Sequence, residues 1–185
     1  NAVGTGTLTF NGGELHATAN STMANPTSLA SSGTIDIDSG ATVTMTGVFS
    51  GAGSITKADS GTLVLSAVNT YTGGTTISGG TVAVGASTGL GDSSGALTFN
   101  GGTLNITSGF TDTRDVSMTG AGTLDIDSGQ TVTMSGEFTS TGALTKAGSG
   151  TLALTGANTY SGGTTIDGGK LTVSADNNLG GASGT

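Results

Sequence analysis

The chain has 185 residues, of which 36 are Gly, one is Pro and none is Cys; 9% are charged and the formal net charge is -8. The absence of Cys excludes disulfides, thiolate metal sites and cysteine nucleophiles, and four Lys and Arg against twelve Asp and Glu leave no basic patch for a nucleic-acid backbone or an anionic membrane. A single His, His16, excludes multi-His metal clusters and argues against histidine catalysis. No apolar run reaches the length of a bilayer span, and no signal-peptide pattern is visible. Leu, Ile, Val and Phe make up just under a fifth of the residues, at the border of the disordered class. Their periodic placement argues for a folded chain. The pattern stops within a recurring unit, as expected for a piece of something longer.

Taken in chain order, the first predicted strands alternate at Leu8 and Phe10 before the corner Asn11-Gly12-Gly13. Ile35 and Ile37 alternate with Asp36 and Asp38, Ser39-Gly40 turns the chain, and Val43 and Met45 alternate with Thr42, Thr44 and Thr46. Leu63 and Leu65 follow Ser60-Gly61, and Val82 and Val84 follow Gly79-Gly80. Period-two alternation means strands with one face in and one face out, Thr and Val suit such strands, and no segment carries a helical period. The whole pattern then returns at a constant offset of 89: Leu97 to Gly102 repeats Leu8 to Gly13, Asp125 to Gly129 repeats Asp36 to Gly40, and Asn158-Thr159-Tyr160 repeats Asn69-Thr70-Tyr71. The copies, 6–94 and 95–183, align without a gap. The poorest match, Ala19 to Ser32 against Ser108 to Ala121, predicts a loop or a face with relaxed packing.

Each copy holds about four strand-corner-strand units, at 6–18, 33–46, 53–66 and 74–85, or roughly 22 residues per unit, within the range of stacked structural repeats. One unit per coil of a β-solenoid, rising about 4.8 Å per coil, predicts about eight coils and a rod of roughly 40 Å running continuously through 1–185. Asn-Gly between alternating strands is also a strong hairpin signal, so Asn11-Gly12 and Asn100-Gly101 equally suit antiparallel turns in a sandwich. Local sequence leaves both open. The gapless long repeat favours the solenoid.

One segment of each copy resembles a known family. Gly61-Thr62-Leu63-Val64-Leu65, Asn69-Thr70-Tyr71, Gly73-Gly74-Thr75-Thr76-Ile77 and Gly79-Gly80-Thr81-Val82, within 53–84, resemble the autotransporter-associated β-strand repeat. The second copy, 142–173, does so again with Gly150-Thr151-Leu152-Ala153-Leu154 and Gly162-Gly163-Thr164-Thr165-Ile166. The resemblance implies an all-β, right-handed parallel β-helix (β-solenoid) with about four coils per 89-residue repeat. It also implies a bacterial surface-exposed or secreted passenger and, as partner, an outer-membrane translocator barrel outside this segment.

No catalytic, cofactor-binding or metal-binding residue is assigned, and no cofactor is expected. Asp36 and Asp38, with Asp125 and Asp127, are the best acidic constellation. Two carboxylates at this spacing offer oxygen to Ca²⁺ or imitate a lyase cluster, yet their alternation with Ile makes them a solvated strand face. The rows Thr42, Thr44, Thr46 and Thr131, Thr133 suit exposed strands, and rows four coils apart make no continuous lattice. Tyr71, Tyr160, Phe10, Phe99, Phe49 and Phe138, recurring at a fixed offset, are expected in a stacked core. His16, which becomes Asn105, is expected as an exposed polar residue. Lys57 and Lys146 are expected at coil corners, and Arg114 in a surface ion pair of little weight with Asp112 or Asp115. The expectation is a structural, non-catalytic stalk or adhesive rod whose partners are further copies by homotypic stacking or a host or cell-surface ligand. No nucleic acid and no membrane insertion of this segment are expected. The alternatives are a self-assembling filament or sheath subunit and, remotely, a β-helical polysaccharide-degrading enzyme. The last needs converging acidic and basic groups that four scattered basic residues do not supply.

Overall fold

Short alternating runs separated by Gly cannot bury their apolar side alone, so each must find a neighbour that repeats it. The computed structural model describes residues 4–181 and shows how: every strand pairing is parallel, and partners lie 19, 20 or 22 residues apart, as in Thr62 with Thr81, Thr42 with Thr62 and Thr81 with Thr103. The chain is a β-solenoid of about eight coils with three strand-bearing faces. The hairpin alternative is excluded. Gly12 and Gly101, both at positive φ, turn corners between faces of the coil.

On the first face lie Leu8–Phe10, Thr27–Leu29 and Phe49–Ser50. That face continues through two stretches without strands, where Thr70 N–H donates to Phe49 and Asp92 N–H to Tyr71. It resumes with Thr111–Asp112, Thr131–Met134, Thr151–Leu154 and Lys170–Val173. The second face stacks seven strands from Glu14–Ala17 to Phe138–Thr139, and the third stacks eight from Ser21–Met23 to Thr164–Ile166.

The sequence repeat and the coil are out of step. Leu8–Phe10 lies on the first face, whereas its counterpart Leu97–Phe99 lies on the second. Likewise Gly33–Ile37 on the second face becomes Gly122–Ile126 on the third, and Thr42–Met45 on the third becomes Thr131–Met134 on the first. One 89-residue copy is therefore four coils plus one further face. This refines the expected four coils, and it means that equivalent residues of the two copies never share a column.

Inward columns form the core. Val43, Leu63, Val82, Leu104 and Leu124 stack on the third face, and Ile55, Leu97, Val116 and Phe138 line one column of the second, with the buried Thr75 between Ile55 and Leu97. All nine apolar side chains are at most 1% exposed. Such side chains supply about 1.5–3 kcal/mol each on burial. Phe10, Phe49, Phe99, Phe138, Tyr71 and Tyr160 are all buried, as expected, and Phe49 meets Tyr71 edge-on at 6.3 Å between centroids. The divergent stretch is not a loop. Its strands Ser21–Met23, Thr27–Leu29, Thr111–Asp112 and Val116–Met118 pair in register, with Met23, Leu29, Val116 and Met118 buried.

Candidate functional site

Polar side chains of two kinds stand out: those inside the tube, which bind backbone, and those outside, which are free to meet a partner. The inner set begins with two lysines. Lys57 belongs to the strand Ile55–Ala58 and stacks between Ile35 and Ile77, and Lys146 stacks between Leu124 and Ile166. Neither sits at a corner as expected. Both are inward strand residues whose ammonium groups donate to corner carbonyls, Lys57 to Asp59 at 2.8 Å and Lys146 to Gly148 at 3.0 Å. Desolvation by the surrounding core pushes both amines below the usual lysine range.

Arg114 overturns its expectation more sharply. It is 1% exposed and its Nε donates to the equally buried Asp112 carboxylate at 2.7 Å. Its remaining N–H groups reach the carbonyls of Leu90 at 3.0 Å and Ser87 at 2.9 Å in the coil beneath. Proximity on the strand pattern suggested a surface pair; the segment is inward in both copies, and in the second it lies over the turn at Ser87–Leu90. The first copy solves the same problem without charge. Asn25, the counterpart of Arg114, donates to the carbonyls of Gly4 at 3.0 Å and Gly6 at 2.6 Å, and Met23 stands where Asp112 does.

Asn69 and Asn158 were missed as functional in the sequence, although both open the fixed Asn-Thr-Tyr motif. Each replaces missing strand pairing with its own amide. Asn69 accepts from Phe49 N–H at 2.9 Å on one side and donates to Gly89 at 2.7 Å on the other. Asn158 does the same with Phe138 and Asn178. Tyr71, two residues after Asn69, hydrogen-bonds Thr75 at 2.6 Å. Burial pushes its hydroxyl to about 12. An unfolded Tyr ionises near 10, so this group's contribution to stability is complete below pH 10 and is lost as pH rises toward 12. Burial raises Tyr160 as well, so alkaline absorbance titration is expected to show both tyrosines ionising late, and Tyr71→Phe is expected to reduce that late step to the Tyr160 part.

Outside, the two copies repeat one device on different faces. His16 Nε2 meets Asp38 at 2.8 Å on the second face, and Asn105 Nδ2 donates to Asp127 at 3.0 Å on the third. His16 is exposed, as expected, and its hydrogen bond to Asp38 raises its pKa above the ordinary value. Asp36 and Asp125 lie in the same two clusters. Among the described residues no group of three His, Asp or Glu side chains is arranged to hold a metal ion.

Threonine forms a longer feature than expected. Thr42, Thr62, Thr81, Thr103, Thr123, Thr145 and Thr165 stack as one unbroken outward column on the third face. The rows Thr42–Thr44 and Thr131–Thr133 themselves lie on different faces. The column arises because rotation of the second copy brings threonines from different motif positions into line. A shallow groove lined by Val64, Ala67, Val68, Ala83 and Ala86 carries no ionisable side chain. Lys57, Lys146 and Arg114 being buried, Lys170 is the one exposed Lys or Arg among the described residues, facing a surface otherwise charged by carboxylates.

Comparison with known proteins places these features. Residues 55–84 and 144–173 each match the model of the passenger-associated-transport-repeat. A 70-residue stretch, 37% of the chain, is 41% identical to the adhesin BmaC autotransporter of Brucella suis biovar 1 (strain 1330). That stretch spans about 2% of the length of this relative. No solved structure matches. No helix among the described residues is long and apolar enough to cross a membrane.

Proposed function

From a chain that carries two copies of the passenger-associated transport repeat, 89 residues apart, we infer a structural, non-catalytic segment of a surface-exposed or secreted autotransporter-type protein: a stiff adhesive stalk. The observation that carries this reading is the continuous stack of parallel coils in which the buried Lys, Arg and Asn side chains are held by backbone carbonyls and N–H groups, with Arg114 also paired to Asp112. Each coil caps the next, so length scales with copy number and stiffness follows from the hydrogen-bonded columns. The match to an adhesin supports an adhesive role for the outer faces. Catalysis finds no support. The buried cations are held by carbonyls and, for Arg114, by Asp112, and the base beside the outer carboxylates, His16, is an exposed side chain paired with Asp38 and lies in no cleft. A translocator barrel elsewhere in the parent protein is the partner that this reading requires. Electron microscopy of the native full-length protein on producing cells tests it. Rods anchored at one end are expected, and adhesion is expected to fall when the repeat-bearing segment is deleted. Free globular particles and unchanged adhesion would sink it.

A further inference from the structure

Two identical hexapeptides, Leu8-Thr9-Phe10-Asn11-Gly12-Gly13 and Leu97-Thr98-Phe99-Asn100-Gly101-Gly102, each end in a corner of the rod. They hold the two Asn-Gly steps of the chain. At such a step the backbone nitrogen of the glycine can attack the asparagine side-chain amide, because glycine carries no Cβ to obstruct the approach. Both asparagines are exposed, and neither side-chain amide has a hydrogen-bond partner among the described residues. The corners differ in the attacking group. Between the first and second faces, Gly12 N–H donates to the Ser32 carbonyl of the following coil at 3.0 Å. Between the second and third faces, Gly101 N–H has no hydrogen-bond partner among the described residues. The backbone differs accordingly. Gly12, at φ 87°, precedes a Gly13 of ordinary φ, whereas Gly101, at φ 117°, precedes Gly102 at φ 74°. One sequence thus presents a tethered nitrogen at one corner and a free nitrogen at the other.

We propose that Asn100 is a site of spontaneous deamidation and that Asn11 is held back from the same reaction by its corner. The Gly101 nitrogen gives up its proton to solvent base and attacks the side-chain carbonyl carbon of Asn100. A carbon–nitrogen bond forms, the bond to the side-chain nitrogen breaks, and that nitrogen takes up a proton and leaves as ammonia. Water then opens the five-membered imide at either carbonyl, leaving aspartate or its isoaspartyl isomer. Water is the only other reactant. At Asn11 the attack first requires the Gly12 bond to Ser32 to break. The product alters the rod at a single corner. Each event adds a negative charge to a chain already at -8. The isoaspartyl form also routes the backbone through the former side chain and lengthens a corner that is closely packed on both sides. A methyl group on Gly101 would lie 3.1 Å from the Ser78 carbonyl oxygen, and one on Gly120 would lie 3.0 Å from the Asn100 carbonyl carbon.

The two hexapeptides serve as each other's control, since their local sequence is the same and only their corners differ. The folded chain is incubated in mildly alkaline buffer and sampled by peptide mapping with mass spectrometry, which reads the exchange of the amide nitrogen for oxygen. Conversion at Asn100 is expected to run about 2- to 10-fold faster than at Asn11, the factor that one backbone hydrogen bond supplies. In denaturant both corners are lost, and the two rates are expected to converge. Isoelectric focusing gives a second readout on the intact chain. Asn100→Gln is expected to remove the early acidic species, and Asn11→Gln to leave it in place. Equal rates in the folded chain, or a faster Asn11, overturn the proposal. So does a folded chain that keeps its Asn100 amide over a period in which the unfolded chain converts both sites.

Discussion

Arg114→Met is expected to destabilise the fold by about 3–5 kcal/mol, because it strands the Asp112 carboxylate in the core without its partner. For a chain of this size the melting temperature falls by roughly 10 °C. Thermal and urea unfolding read this directly. The sharper half of the prediction is the rescue. The first copy fills the corresponding positions with Met23 and Asn25, whose amide holds the Gly4 and Gly6 carbonyls. The double change Asp112→Met with Arg114→Asn transplants that solution, and most of the lost stability is expected to return. Replacing both members of a buried ion pair by well-packed groups is often neutral, whereas removing one is not. A double variant as unstable as the single one would mean that Arg114 acts through its own packing and not as half of an interchangeable plug.

Gly142→Ala is expected to damage the stack at least as much as a typical overpacked core substitution, about 1–3 kcal/mol. A Cβ there would lie 1.9 Å from the carbonyl oxygen of Gly120, a backbone atom that cannot swing aside. The coil spacing itself is what allows no methyl. Gly13→Ala is the control. Nothing lies within 4 Å of its Cβ and its φ is ordinary, so the change is expected to be neutral or to stabilise by about 0.4–1 kcal/mol through the unfolded chain. Equal effects at the two sites would show that coil contact does not set the glycine content.

The alternation at Ile35-Asp36-Ile37 and Leu63-Val64-Leu65 made strands and inward sides legible, and the constant 89-residue offset made the stack legible. The aromatic core followed from recurrence alone. The rotation between copies did not, because it depends on coils of 19, 20 and 22 residues, set by corner lengths that no local pattern announces. That one omission explains two others. Equivalent threonines were expected four coils apart on one side, and the unbroken column from Thr42 to Thr165 was overlooked. Arg114 beside Asp112 read as a surface pair because nothing in a dipeptide spacing tells which turn lies beneath it. Lys57 and Lys146 ended their alternating runs and so resembled corner residues; their position opposite Ile35 and Leu124 shows that a lysine can occupy an apolar column when its ammonium reaches the carbonyls at the column's edge. Asn69 and Asn158 carried a signal, identity in both copies, that composition-based site searching passes over.

Three of the four basic residues disappear into the tube on folding, and this changes how neighbouring molecules experience one another. A loose chain shows mixed charge, and its cations are free to bridge to carboxylates on the next chain. The finished rod shows a largely neutral Thr, Ser and Gly exterior whose charges are nearly all carboxylates. Two such rods brought side by side therefore repel one another, over about 8 Å at physiological ionic strength and over about 30 Å in dilute medium. The closest approach of two rods is thereby set by the surrounding electrolyte, shrinking as salt rises with no change in either molecule.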